Sequence, residues 1–258
     1  MSTARSFKSP RSILALILRE MSTTYGRSVG GFLWVILEPV LGVALLSVVF
    51  SLAFRSPSLG SNFPLFYASG ILPFVIYKDI SNKVSTSLRF SRQLLFYPAI
   101  TFIDAIFARF LLNFLVHIII FYIIITGIII IFDIKTIINF APLFYAFTLA
   151  GFLGLGIGCL NCFLFSVFPV WERMWGVLNR PLFIISCILF LFESVPEPYQ
   201  SFLWYNPLIH IIGMMRRAFY PTYDAPYVSI IYVILVGAIA LNLGLLLLKR
   251  YHRDILNN

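Results

Sequence analysis

The sequence predicts an all-α integral membrane protein with six transmembrane helices and both ends in the cytoplasm. Three observations lead there. Hydrophobic residues make up 60% of the chain and charged residues only 11%, well under the roughly 25% charged in a soluble domain. Uncharged stretches recur close to the roughly 20 residues needed to cross hydrocarbon. With six spans, fifteen of the nineteen Lys and Arg residues fall on the amino-terminal side and only Arg55, Lys135, Arg216 and Arg217 lie opposite, which makes the amino-terminal side cytoplasmic.

Each element has its own justification. Ser9 and Pro10 make a helix start, and Ile13, Leu16, Ile17 and Met21 recur on one face with Arg11 and Arg19 off it. Residues 10–25 are therefore expected to form an amphipathic helix on the membrane surface. The first long apolar run begins near Phe32 without a small-residue cleavage site, so this segment is expected to be retained. The expected spans are 32–54, interrupted by Glu38 and Pro39; 63–83, the least regular, with Pro64, Gly70 and Pro73; 110–132; 144–168; 177–194; and 228–248. His117 is the sole ionisable group inside the third and fourth. The fifth has a short apolar centre, Pro181 to Phe192, and needs Val177 to Arg180 to reach membrane length. Between the last two spans, Pro207 and the polar Asn206 and His210 interrupt an uncharged stretch. Residues 196–222 are accordingly read as two short re-entrant half-helices on the outer side. A seventh span there would give fourteen basic residues against five, so the broken pattern decides and not the charge.

The loop between the second and third spans holds Lys78, Lys83, Arg89, Arg92 and Arg109 around Leu94, Leu95, Phe96 and Tyr97. A short helix over 87–97, ending before Pro98, either buries its aromatic face in a partner or rests on lipid, and spacing leaves both open.

The net charge of +9 is confined to segments between apolar runs, which suits anionic lipid heads and not nucleic acid. Cys159, Cys162 and Cys187 lie in apolar stretches, where a thiol acts as a small hydrophobic filler. There is no Walker-type phosphate loop, HExxH, GxSxG or carboxylate cluster, and His117, His210 and His252 are scattered, so no catalytic, cofactor or metal site is expected. Gly151, Gly154, Gly156 and Gly158 fall inside a span without a preceding strand and point to close helix packing. The 44 aromatic residues permit a glycan path, because ring faces stack on sugars, but they also anchor helices at the headgroup layer.

The segment Leu18 to Pro39, LREMSTTYGRSVGGFLWVILEP, resembles the entry to the first span in permeases of the ABC type-two exporter family. The stretch Arg180 to Tyr223, RPLFIISCILFLFESVPEPYQSFLWYNPLIHIIGMMRRAFYPTY, is similar to the permease of bacterial capsular polysaccharide exporters in particular. Its marks are IISC before a proline-bounded hairpin, then NPL, His210, Arg216 and Pro221. Gly213 and Arg217 depart from the family pattern, where acidic residues stand.

The resemblance implies a homodimer in the bacterial inner membrane that binds two copies of a separate ATPase and exports lipid-linked acidic capsule polymer. ATP and Mg would sit on that partner and no cofactor on this chain. Periplasmic and outer-membrane capsule export proteins are implied as further partners, with membrane lipid around the spans. In such permeases the amino-terminal helix and the first cytoplasmic helix, here 87–97 as a coupling helix, rest on the ATPase. Candidate ATPase contacts are then Arg19, Glu20, Arg92, Leu95, Phe96 and Tyr97. Candidate substrate-path residues are Trp34, Phe183 and Phe190 as stacking surfaces, with Arg27, Arg89 and Arg92 to meet an anionic linker. His210, Arg216 and Arg217 are candidates for an outer gate, against capping of a helix end at the headgroup layer. Glu38 is an intramembrane charge with either a structural partner or a substrate role. Rival readings are an O-antigen or teichoic acid exporter of the same build, or a membrane enzyme acting on lipid-linked sugars.

Overall fold

The computed structural model describes residues 8–25, 31–97 and 100–257, and there is no strand among the described residues. The helices in chain order are α1 Lys8–Glu20, extended by a π-helical turn Met21–Tyr25, α2 Gly31–Ala53, α3 Phe63–Ser85, α4 Ser87–Leu95 and α5 Phe102–Ile131. They continue with α6 Phe140–Val167, α7 Pro169–Ile185, α8 Tyr199–Trp204, α9 Pro207–Phe219 and α10 Ile230–Asn257. Among the described residues four, α2, α5, α6 and α10, are long and apolar enough to cross a membrane.

The core forms around α3, which packs against α5, α6, α2 and α9. Its face is apolar nearly all round, so Phe66, Ile76 and Ile80 are fully buried, and Lys78, Asp79 and Lys83 are confined to its last turns. Asp79 reaches His117 of α5 at 3.4 Å, which gives the one ionisable group of the third span a partner. Thr86 ends α3, its hydroxyl donating back to the Asn82 carbonyl at 3.1 Å, and α4 begins at once.

Helix α5 starts eight residues before the boundary of 110 expected from hydropathy, at Phe102. The cause is a capping box. The Asp104 N–H donates to the Thr101 hydroxyl at 3.2 Å, and the Thr101 N–H donates to the Asp104 carboxylate at 2.9 Å. Ser9 of α1 also donates to Asp104, which ties the surface helix to the same cap. Replacing Thr101 with alanine should lower stability by about 1 kcal/mol in a thermal melt of detergent-solubilised protein.

The glycines of α6 face two ways. A Cβ at Gly158 would come within 2.9 Å of the Ser81 carbonyl oxygen on α3, and one at Gly156 would collide with the Gly237 carbonyl on α10. From the other side, a Cβ at Gly244 of α10 would stand 2.6 Å from the Cys159 carbonyl carbon. The obstacle is backbone, which cannot swing aside, so the expected close packing is realised. Gly156→Ala should destabilise by about 1–3 kcal/mol, read as a lower melting temperature, while Gly42→Ala, with open space around it, should not.

The fifth expected span is corrected. Instead of one helix over 177–194, the chain is helical over Pro169–Ile185 and then breaks, with Cys187 at φ 58° and a single 3-10 turn at Phe192–Ser194. Beyond it α8 is short, and α9 begins where the Asn206 side chain accepts from the Leu208 N–H at 3.1 Å with Pro207 in the first turn. Although only thirteen residues long, α9 is buried along nearly its whole length.

Candidate functional site

At one end of the bundle α1, α4 and the start of α5 meet on Arg109. Its Nε donates to the Glu20 carboxylate at 3.0 Å and its Nη1 to the Thr86 hydroxyl at 2.8 Å. Its guanidinium carbon lies 4.4 Å from the centre of the Phe90 ring, and Arg19 stands over the same ring at 5.4 Å. The Arg109 and Glu20 side chains are 7% and 2% exposed, so this is an internal ion pair joining three helices. Glu20, a sequence candidate for contact with a partner, is therefore turned inward.

Helix α4 continues the connection. Arg89 donates through both terminal nitrogens to Glu172, at 3.3 and 2.9 Å, in the first turn of α7, where a carboxylate also suits the positive end of the helix. That hydrogen bond holds the Arg89 guanidinium above its already high ordinary pKa. Arg92 is exposed and borders, with Arg89, a cleft of about 250 Å³ that Phe165 and Ile255 also line. Leu95 is half-buried, whereas Phe96 and Tyr97 are exposed at the end of α4.

At the opposite end Arg216 of α9 is fully buried. It donates to the Phe190 carbonyl at 3.0 Å and to the Ile188 carbonyl at 3.0 Å, and its guanidinium lies 4.6 Å from the centre of the Phe66 ring. These carbonyls lie in the non-helical stretch between α7 and the Phe192–Ser194 turn, so Arg216 satisfies backbone acceptors that no helix meets. His210, also buried, bonds the Trp204 carbonyl at 2.9 Å and accepts from the Ser229 N–H at 3.2 Å. It thereby holds α8 and the start of α10 against α9. The Tyr223 hydroxyl donates to Glu193 at 3.0 Å and lies 3.2 Å from the Tyr227 hydroxyl, whose pKa burial pushes up to about 12. Arg217 faces outward, 3.7 Å from Asp224.

The expected aromatic path is dispersed within one chain. Trp34 is exposed on the first turns of α2, Phe183 of α7 meets Phe74 edge-on at 5.4 Å, and Phe190 lines a 330 Å³ cavity with Phe50, Phe54, Phe63 and Tyr67. Trp34 and Phe50 stand ~24 Å apart along α2, so Trp34 and Phe190 belong to opposite ends. Glu38 is exposed on α2, with no partner among the described residues, and Arg27 lies outside the described residues. Two helices have little to pack on: α7 has no buried residue, and most of the α2 surface is exposed.

Sequence reasoning missed Arg109, Glu172, Phe90 and Thr86. The sequence did carry a signal for the first of these. Thr101 and Asp104 have the T-x-x-D spacing of a capping box, which would have moved the start of α5 ahead of Arg109 and placed that arginine inside a helix.

No family model matches the chain. It is 31% identical over 247 residues to the polysialic acid transport protein KpsM of Escherichia coli, with 96% of each chain covered. It belongs to the family of capsule polysaccharide export inner-membrane proteins. Other relatives are the capsule polysaccharide export inner-membrane proteins CtrC of Neisseria meningitidis serogroup A, 26% identical over 250 residues, and BexB of Haemophilus influenzae, 26% identical over 246 residues. Each of those two alignments takes in 95% of this chain and 92% of the relative. In this capsule-export protein a Cβ at Gly213 would stand 2.5 Å from the Tyr227 hydroxyl, so a side chain there would force that ring to shift.

Proposed function

We propose that the chain is the permease subunit of an ATP-driven exporter that moves lipid-linked, acidic capsular polysaccharide across the bacterial inner membrane. It works as a homodimer with two copies of a separate ATPase, which carries the ATP and Mg. The observation that supports this best is the run of contacts from α1 through Arg109 to α4, and from Arg89 to Glu172 of α7. It links the two helices expected on the ATPase to one that has no buried residue of its own.

In this reading α3 and α7 join the four apolar helices to make six spans, with both termini cytoplasmic. Helix α9 rises ~20 Å, too little for a hydrocarbon core of ~30 Å, and it is buried, as a re-entrant helix requires. Closure of the ATPases pushes on α1 and on Phe96 and Tyr97 of α4. Arg89 and Glu172 pass the displacement to α7, whose far end Arg216 holds, so α7 tilts about that end. A canal opens where α2 and α7 of the two copies face each other, with Trp34, Phe183 and Phe190 as stacking surfaces and Arg27, Arg89 and Arg92 near the anionic linker. Periplasmic and outer-membrane export proteins receive the polymer.

Co-expression with the ATPase encoded beside it tests the assignment. The expected result is a complex of two permeases and two ATPases, ATP hydrolysis only in the complex, and loss of surface capsule on deletion. Hydrolysis by the isolated chain would overturn it. For the transmission step, Arg89→Glu should strongly reduce surface capsule and Glu172→Arg in the same chain should restore it. Stability should move by less than about 1 kcal/mol, because both side chains are substantially exposed. Failure of the swap to restore export would remove this contact from the pathway.

A further inference from the structure

Between α5 and α6, toward their 132–139 connection, lies a crevice of about 580 Å³. Its floor is Phe121, Ile125, Phe147 and Phe219, each no more than 9% exposed, and Tyr122 and Phe144 stand exposed at its rim. The Thr148 hydroxyl on its wall donates back to the Phe144 carbonyl at 2.8 Å, so the crevice offers water few partners. Phe219 is fixed in the floor, because its carbonyl accepts from the Thr136 hydroxyl at 2.7 Å. At the α9 end the crevice shares Ile138 and Phe140 with a second cavity of about 560 Å³ and mixed lining, where Arg217 and Asp224 stand 3.7 Å apart and partly or fully open to solvent.

We infer that the two cavities form one binding site for a phospholipid with a phosphoethanolamine headgroup. The acyl chain fills the apolar crevice, the phosphate meets Arg217 and the ammonium meets Asp224. Charge pattern selects this occupant. A purely anionic headgroup would face the Asp224 carboxylate, and a choline headgroup has no N–H to donate to it. Length agrees as well: from Phe114 to Ile129 the crevice wall rises ~22 Å, more than the ~15 Å half-thickness of the hydrocarbon. A second copy of the chain would instead seat on α2 and α7, since most of the α2 surface is exposed and α7 has no buried residue. The outer-leaflet position of the site rests on the topology proposed above.

The test is native mass spectrometry of the full chain, delipidated in detergent and offered phosphatidylethanolamine, phosphatidylglycerol or phosphatidylcholine. One phosphatidylethanolamine should be retained per chain, with the other two held about fivefold less well. R217Q and D224N should each lower phosphatidylethanolamine to the level of phosphatidylcholine. Thr148→Trp, which fills the crevice, should remove retained lipid of every headgroup, and Ile118→Trp at the rim serves if the first variant does not fold. Equal retention of the three lipids by the unmodified chain, or unchanged retention with the crevice filled, would overturn the site. A disulfide between copies formed by Ile129→Cys would overturn it in favour of a second chain. Labelling of Asp224→Cys from the cytoplasmic face alone would overturn the topology, a failure separable from lipid loss.

Discussion

Replacing Arg216 with methionine should leave little folded, export-competent protein, with a stability loss of about 3–5 kcal/mol. The volume is roughly kept, but the Ile188 and Phe190 carbonyls lose their donors in a buried place, at about 1–3 kcal/mol for each unmet acceptor. The stretch after α7 then keeps only the Asn206 side chain, bonded to the Ser186 hydroxyl and the Ile185 carbonyl, as a polar link to α9. Arg216→Lys should fall between, because an ammonium keeps the charge but lacks the planar fork that reaches two carbonyls. Arg217→Gln, one residue on and partly exposed, should shift the melt by less than about 0.5 kcal/mol. Thermal unfolding in detergent, beside quantitation of surface capsule, checks the series. A melt of Arg216→Met matching that of the unmodified chain would mean that the turn holds itself.

Glu20→Gln should cost a comparable amount, about 3–5 kcal/mol, since it leaves the Arg109 guanidinium buried beside a neutral group. A second variant separates stability from transmission. The pair Glu20→Leu with Arg109→Met replaces buried charge by apolar volume, and such exchanges are often neutral or stabilising. The doubly changed protein should therefore melt close to the unmodified one. It should still export poorly while the proposed ATPase partner hydrolyses ATP, because α1, α4 and α5 no longer share a rigid joint. Normal export in the double variant would assign the pair to stability alone. Normal melting in Glu20→Gln would mean that the pair contributes nothing to stability.

Hydropathy located the first two long helices to within two residues, 32–54 against Gly31–Ala53 and 63–83 against Phe63–Ser85. The proline-marked break before α9 was equally legible, since Asn206 and Pro207 act on their own backbone. Two boundaries were not. Hydropathy puts the start of α5 after Arg109, since a charge followed by an apolar run looks like a loop followed by a span, and only the cap at Thr101 moves it earlier. Hydropathy centres α7 too far along, because apolarity peaks at Pro181 to Phe192 while the helix ends at Ile185. The residue responsible for meeting that break, Arg216, lies 28 positions beyond Ile188.

The site residues divide in the same way. Exposed positions such as Trp34, Phe96 and Tyr97 follow from local pattern, and the structure leaves them exposed. The role of Glu20 did not follow, since its partner is 89 residues away.

By itself the sequence determined the solvent, the helical class, the order of helices and the family, because each depends on sums or patterns along neighbouring residues. Only the tertiary structure decided which charges face inward and which apolar helices remain without neighbours. A buried charge is tolerated wherever folding brings an opposite charge or a carbonyl within hydrogen-bonding reach, and that proximity is a property of packed helices and not of any stretch of chain.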